Sequence, residues 1–148
     1  MEKGKNTAVQ LVVEDGSRRY ELRNTRGDVV GEFAISPTDI GIFERFAAMQ
    51  QELEGIAEPF EALEDAGNMT AFVAATSAAR EKLCAAIDSM FGREGTAARL
   101  FGSVHPFTPV DGRFYFDRVL EAVGAQIDAM FESEAEKFAR RVGKYLGE

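Results

Sequence analysis

The spacing of apolar residues changes once along this chain, at Ser36-Pro37-Thr38-Asp39, and that change limits what the chain can fold into. Ahead of it, apolar residues run or alternate in short stretches. Behind it, they recur three and four apart, the period of a helix with one buried face. The tetrapeptide itself reads as a helix start. Ser36 can cap, Pro37 suits the first helical position where a missing N–H is tolerated, and Asp39 sits near the positive end of the helix dipole. The expected fold is α+β and mostly helical: a β-meander over 1–35, then a helical bundle over 36–148 with a long C-terminal helix, the two forming one domain. At 148 residues and 45% hydrophobic, the chain matches one ordinary domain able to bury a core.

Three strands are expected in the first part. Ala8-Val-Gln-Leu-Val-Val13 is an apolar run closed by the turn cluster Glu14-Asp15-Gly16-Ser17. Arg19-Tyr-Glu-Leu-Arg23 alternates, with Tyr20 and Leu22 on one face. Thr25-Arg-Gly-Asp28 is a second turn, and Val29-Val-Gly-Glu-Phe-Ala-Ile35 a third strand. Tight turns make this an antiparallel meander. The Arg-Gly-Asp triplet is read as turn chemistry, not as an adhesion signal.

In the first helix, Ile40, Phe43, Phe46, Ala47, Gln50 and Leu53 form the expected inner stripe. Pro59 should break or kink it near Ile56 or Ala57, with a short acidic helical stretch reaching Asp65. A second helix opens at Gly67-Asn68 and runs to about Met90 on an alanine-rich stripe of Phe72, Ala75, Ala79, Leu83, Ala86, Ile87 and Met90. Small residues there permit close helix approach. Gly92 and Gly95 end it, Thr96 to Phe101 makes one more turn, and Gly102 ends that. Ser103 to Gly112 reads as an ordered loop. A long helix follows from Arg113 to about Tyr145, lined by Phe116, Val119, Leu120, Val123, Ile127, Met130, Phe131, Phe138 and Val142. Its charged segment Glu132 to Arg141 is expected to project past the core, and its surplus apolar surface suggests a homo-oligomer.

Charge and cysteine content exclude several classes. The net charge is −8, and residues 36–68 hold Asp39, Glu44, Glu52, Glu54, Glu58, Glu61, Glu64 and Asp65 against a lone Arg45. Nucleic-acid binding needs cations to neutralise phosphates, and no segment has a basic surplus. One cysteine excludes an internal disulfide and multi-cysteine metal sites. The uncharged run Ala66 to Ala79 is shorter than the about 20 residues of a membrane span. With a polar start at Met1 to Thr7, the chain is expected to be soluble and cytoplasmic, with no membrane partner.

Candidate chemistry is sparse. His105, the single histidine, could pair with Ser103 or Asp111, but nothing joins nucleophile, base and orienter, so local packing is the better reading. Cys84 has Arg80 four residues back, yet lies in the alanine-rich stripe and reads as a small buried apolar side chain. Glu58, Glu61, Glu64 and Asp65 share a helix face without a calcium-loop pattern, and read as a solvated acidic face. Gly92-Arg-Glu-Gly95 follows a helix and lacks the lysine of a phosphate loop. Phe101 and Phe107 flank the glycine-proline loop and read as pegs closing it onto the core in preference to partner anchors. No catalytic, cofactor-binding or metal-ligating residue is assigned, and no enzyme activity is expected.

One arrangement is familiar. Ile42-Phe-Glu-Arg-Phe46 lies in the acidic helix, and Ile87-Asp-Ser-Met-Phe-Gly-Arg-Glu-Gly-Thr96 is followed by Leu100-Phe-Gly102 and a long helix closing on Lys144-Tyr145. Over about Ser36 to Tyr145 the chain resembles tail assembly chaperones of long-tailed bacteriophages and prophages. That resemblance implies a non-enzymatic protein in the cytoplasm of the bacterial host. It would bind and solubilise the tape measure protein, the long helical polypeptide that sets tail length, and help recruit tail-tube protein subunits. The alanine-rich second helix and the last helix would supply an apolar groove, and the acidic face would keep a crowded coat soluble. The alternative is an acidic DNA mimic that inhibits a nucleic-acid-binding protein. It needs acids spread in long stripes, whereas here they gather in one segment.

Overall fold

The structure is a computed structural model that describes residues 7–56, 58 and 69–145. Arg18–Arg23 (β1) and Val29–Ile35 (β2) form an antiparallel ribbon in which Tyr20 faces Phe33 and Leu22 faces Gly31. Their connection is built by Asn24, whose side-chain oxygen accepts the N–H groups of Arg26 and Asp28 at 2.9 and 3.0 Å. Arg26 and Asp28 pair with each other at 3.7 Å, so the Arg-Gly-Asp triplet belongs to the turn. Alternation holds along β2: Phe33 and Ile35 are buried and Ala34 is exposed.

The expected first strand does not form. Residues 8–13 carry no ladder, and Val9, Leu11, Val12 and Val13 are 81–99% exposed. Among the described residues the sheet has two strands, not three. The physical reason lies at Glu14 to Ser17: these residues form no turn, so the chain does not reverse to lay the segment along β1.

Helix α1 (Ile42–Glu52) starts later and ends earlier than expected. The Ser36 hydroxyl does accept the Thr38 N–H, at 3.2 Å, but this organises a turn that precedes the helix. Ile42, Met49 and Leu53 point inward, while Ile40 is 77% and Phe43 39% exposed. The expected stripe is thus rotated by one residue, about 100° on a helix, with Ile42 and Met49 in the places expected of Phe43 and Gln50 while Phe46 and Leu53 keep theirs. A turn over Leu53 to Ile56 closes α1, so Pro59, outside the described residues, is not what ends it.

The remaining helices follow the apolar spacing closely. In α2 (Met69–Phe91), Thr76, Ala79, Leu83, Ala86, Ile87 and Met90 are buried. In α3 (Thr96–Phe101), Ala97, Leu100 and Phe101 are buried, with Gly95 and Gly102 at its ends. A two-residue hairpin, Pro109–Val110 (β3) against Arg113–Phe114 (β4), turns through Asp111 and Gly112, both with positive φ. Helix α4 (Tyr115–Tyr145) buries Phe116, Val119, Leu120, Val123, Ile127 and Met130. Its first turn is capped by the preceding loop: the N–H groups of Tyr115 and Phe116 donate to the carbonyls of Thr108 and Pro106. Beyond Phe131 the helix is mostly exposed, and Phe138 is 69% exposed.

One buried cluster joins all these parts, with Phe33 and Ile35 of the ribbon beside Leu83, Ile87, Leu100 and Val123 of the helices. The ribbon enters it through a backbone contact. A Cβ on Gly31 would lie 1.9 Å from the Leu100 carbonyl oxygen, and one on Gly102 would lie 2.2 Å from that of Val30. Gly31→Ala should therefore destabilise the fold by about 3 kcal/mol through forced backbone separation. Gly27→Ala, at positive φ but in open space, should cost about 1 kcal/mol. Urea denaturation of both variants checks the ordering.

Candidate functional site

The segment Asp88 to Gly102, which carries most of the resemblance described above, is a structural joint. Asp88, near the end of α2, reaches forward so that its carboxylate accepts the N–H groups of Gly95 at 3.1 Å and Ala97 at 2.8 Å. An anionic acceptor suits these N–H groups, which have no intrahelical partner at the start of α3. The Thr96 hydroxyl donates to the Arg93 carbonyl at 2.8 Å, which lets Thr96 be buried. These bonds fold α3 back beside α2 and present its last turn to β2.

Arg45 supplies a second fastening that the residue pattern did not reveal. Its guanidinium pairs with the Asp39 carboxylate, and its Nε donates to the Met90 carbonyl at 2.6 Å. Met90 lies in the last turn of α2, where carbonyls lack helical partners and a cation is favoured. The signal was present as the one basic residue in an acidic stretch.

The residues weighed for chemistry have local roles. His105 accepts the Phe107 N–H on Nδ1 at 3.1 Å, and its carbonyl accepts from the Thr108 N–H and hydroxyl. Burial, with a smaller contribution from the Arg80 charge, lowers its pKa below the ordinary value. Cys84 is half-buried, and burial raises its thiol pKa against a smaller opposing effect of Arg80. It is therefore a poorer nucleophile than a free cysteine. Phe101 and Phe107 are 3% and 0% exposed, which settles them as pegs and removes them as partner anchors. Phe107 sits in an aromatic cluster, 5.2 Å from Phe114 and 5.1 Å from Phe116 between ring centres.

Of the acidic face, Glu58 is exposed, while Glu61, Glu64 and Asp65 lie outside the described residues. Among the described residues no group of histidine, cysteine and carboxylate side chains is placed to hold a metal ion. None of the described helices is long and apolar enough to cross a membrane.

A cleft of about 510 Å³ lies where the end of β2, the start of α1 and α3 meet. Its walls carry Arg19, Glu32, Asp39, Arg93 and Arg99 over an apolar floor that includes Phe33, Ile42 and Phe91. Arg19 pairs with Glu32 at 3.1 Å, and Asp39 with Arg45. Arg93 and Arg99 make no ion pair with a described residue.

Apolar surface available to a partner is located differently from expectation. The inner stripes of α2 and α4 are occupied by the chain's own core, so these helices do not present them as a groove. Among the described residues, Val9 to Val13, Val29, Ile40, Val73 on α2, Val110 and Phe138 on distal α4 stay outside the core. Phe43, 39% exposed, leans on Phe131 at 4.6 Å. Transfer of one such large aliphatic side chain out of water is worth roughly 1.5–3 kcal/mol. Four together in the N-terminal segment therefore outweigh the isolated residues elsewhere. Comparison with protein-family models, with curated proteins and with solved structures finds no match to this chain.

Cys84 provides a check on the absence of an activated thiol. Because burial raises its pKa, the thiolate fraction at pH 8 is smaller in the folded chain than in the unfolded one. Alkylation by iodoacetamide at pH 8 should be slower in the native protein than in urea. The native chain also holds this proton more tightly. Its contribution to stability is thus intact below the ordinary value of 9.0 and is lost as pH rises through the folded value. Native alkylation as fast as that in urea would contradict the assignment.

Proposed function

We propose that this chain is a non-enzymatic tail assembly chaperone of a long-tailed bacteriophage, active in the cytoplasm of the bacterial host. In this reading it binds and solubilises the tape measure protein and helps recruit tail-tube subunits. The resemblance carried by Asp88-x-x-Phe91-Gly92-x-x-Gly95-Thr96 and Leu100-Phe101-Gly102 motivates it.

The observation that supports it best is apolar surface left outside a completed core. Val9, Leu11, Val12 and Val13 on one segment, and Phe138 on the outer part of α4, are 69–99% exposed. A client whose helices carry repeated apolar stripes needs such surfaces to cover them. Exposed acids on and after α1, Glu44, Glu52, Glu54 and Glu58, keep a chain with that much exposed apolar surface in solution.

Co-expression with the tape measure gene of the same phage tests the proposal. The tape measure protein should move from the pellet to the soluble fraction and elute with this chain at fixed stoichiometry. Paired aspartates at Leu11 and Phe138 should reduce the soluble yield without unfolding this chain, since both positions are exposed. A tape measure protein that stays insoluble would sink the idea, and capture of a DNA-binding protein that DNA competes away would replace it with the DNA-mimic reading.

A further inference from the structure

The outer edge of β1 is open, while α3 packs its backbone on the inner face of β2, where neither Gly31 nor Gly102 has room for a Cβ. On the far side of β1, no strand lies among the described residues, and Tyr20 and Leu22 remain half-buried. Just upstream, the same chain carries an uncharged segment whose Val9, Leu11, Val12 and Val13 are 81–99% exposed. A long apolar segment beside an open sheet edge invites strand pairing.

We infer that the Val9–Val13 segment of one copy adds as an antiparallel strand to the β1 edge of a second copy. One register suits both side-chain rows and charges. Leu11 opposite Leu22 and Val13 opposite Tyr20 place apolar residues on the inner face, where Tyr20 already stacks on Phe33 at 4.9 Å. The same register sets Glu14 against Arg19 and Asp15 against Arg18. Arg18 makes no ion pair with a described residue, and Arg19 has Glu32 alone. A slip by one residue in either direction turns Val12 inward in place of Leu11 and Val13 and keeps one charge match of the two.

Within a single chain, that register would require a reversal at Gly16-Ser17. The segment instead stays open there, since residues 7–17 form no turn, bend or ladder. The edge it meets is therefore a second copy's, as in exchange of a terminal element between protomers. This association does not depend on the proposed client.

Light scattering across concentration tests it. The full chain should reach at least twice its 16.2 kDa mass, and Leu11→Asp should return it to 16.2 kDa with an unchanged far-ultraviolet spectrum. Arg18→Glu and Asp15→Lys should each weaken association, and the two together should restore it. To separate exchange from folding back, chains with Leu11→Cys are mixed under oxidation with chains carrying Leu22→Cys, both also Cys84→Ala. A covalent dimer containing one of each is expected. A wild-type monomer at every concentration, an oligomer untouched by Leu11→Asp, or a cross-link formed only within a chain carrying both cysteines would overturn the inference.

Discussion

Everything in this fold is arranged around the place where two backbones touch, Gly31 of β2 against Leu100 and Gly102 of α3 against Val30. A side chain at either glycine would push the ribbon off the helices, and Phe33 and Ile35 would leave the core with it. The contact requires α3 to be held in place, which the Asp88 carboxylate does by binding two N–H groups at its start. It also requires α2 to be seated, and Arg45 holds the last turn of α2 to the turn before α1. Glycine, aspartate and arginine thus act at three successive levels: approach, orientation and docking. Among the described residues, no strand lies along the outer edge of β1.

Much of this was readable from residues. The alanine-rich stripe of α2, the glycine-bounded single turn of α3 and the inner line of α4 emerged from apolar spacing, because each stripe is buried against several neighbours at once. Phe101 and Phe107 were rightly read as pegs. The missing third strand shows where pattern fails. Ala8 to Val13 has strand composition, but composition does not say whether the chain reverses at Glu14 to Ser17 to give it a partner. In α1 the cap-like Ser36 set a turn, the helix began at Ile42, and the inner stripe was displaced. The hairpin at Asp111-Gly112 had a recognisable turn signal inside what read as loop. Arg45 and Asp88 act across 45 and 9 residues of chain, distances over which local periodicity carries no information.

The candidate site moved in the same way. Residue pattern pointed to the apolar stripes of α2 and α4 as a groove, but a stripe that builds the core is not available to a partner. The surfaces left over are the ones that failed to find a place inside: the N-terminal segment and the outer part of α4. For a protein proposed to work by covering apolar stripes on another chain, unfilled apolar surface and an open sheet edge are more pertinent than any pocket.

The central claim is a division between a core locked at the Gly31–Gly102 contact and an apolar segment that its own chain leaves unpaired. Residue-resolved amide hydrogen exchange on dilute protein tests it most directly. Amides of Leu83 to Met90, Phe33 to Ile35 and Val119 to Ile127 should open only with global unfolding, while those of Val9 to Val13 exchange as in an unstructured peptide. Protection across Val9 to Val13 in the dilute monomer, or early opening of β2 from α3, would contradict the account.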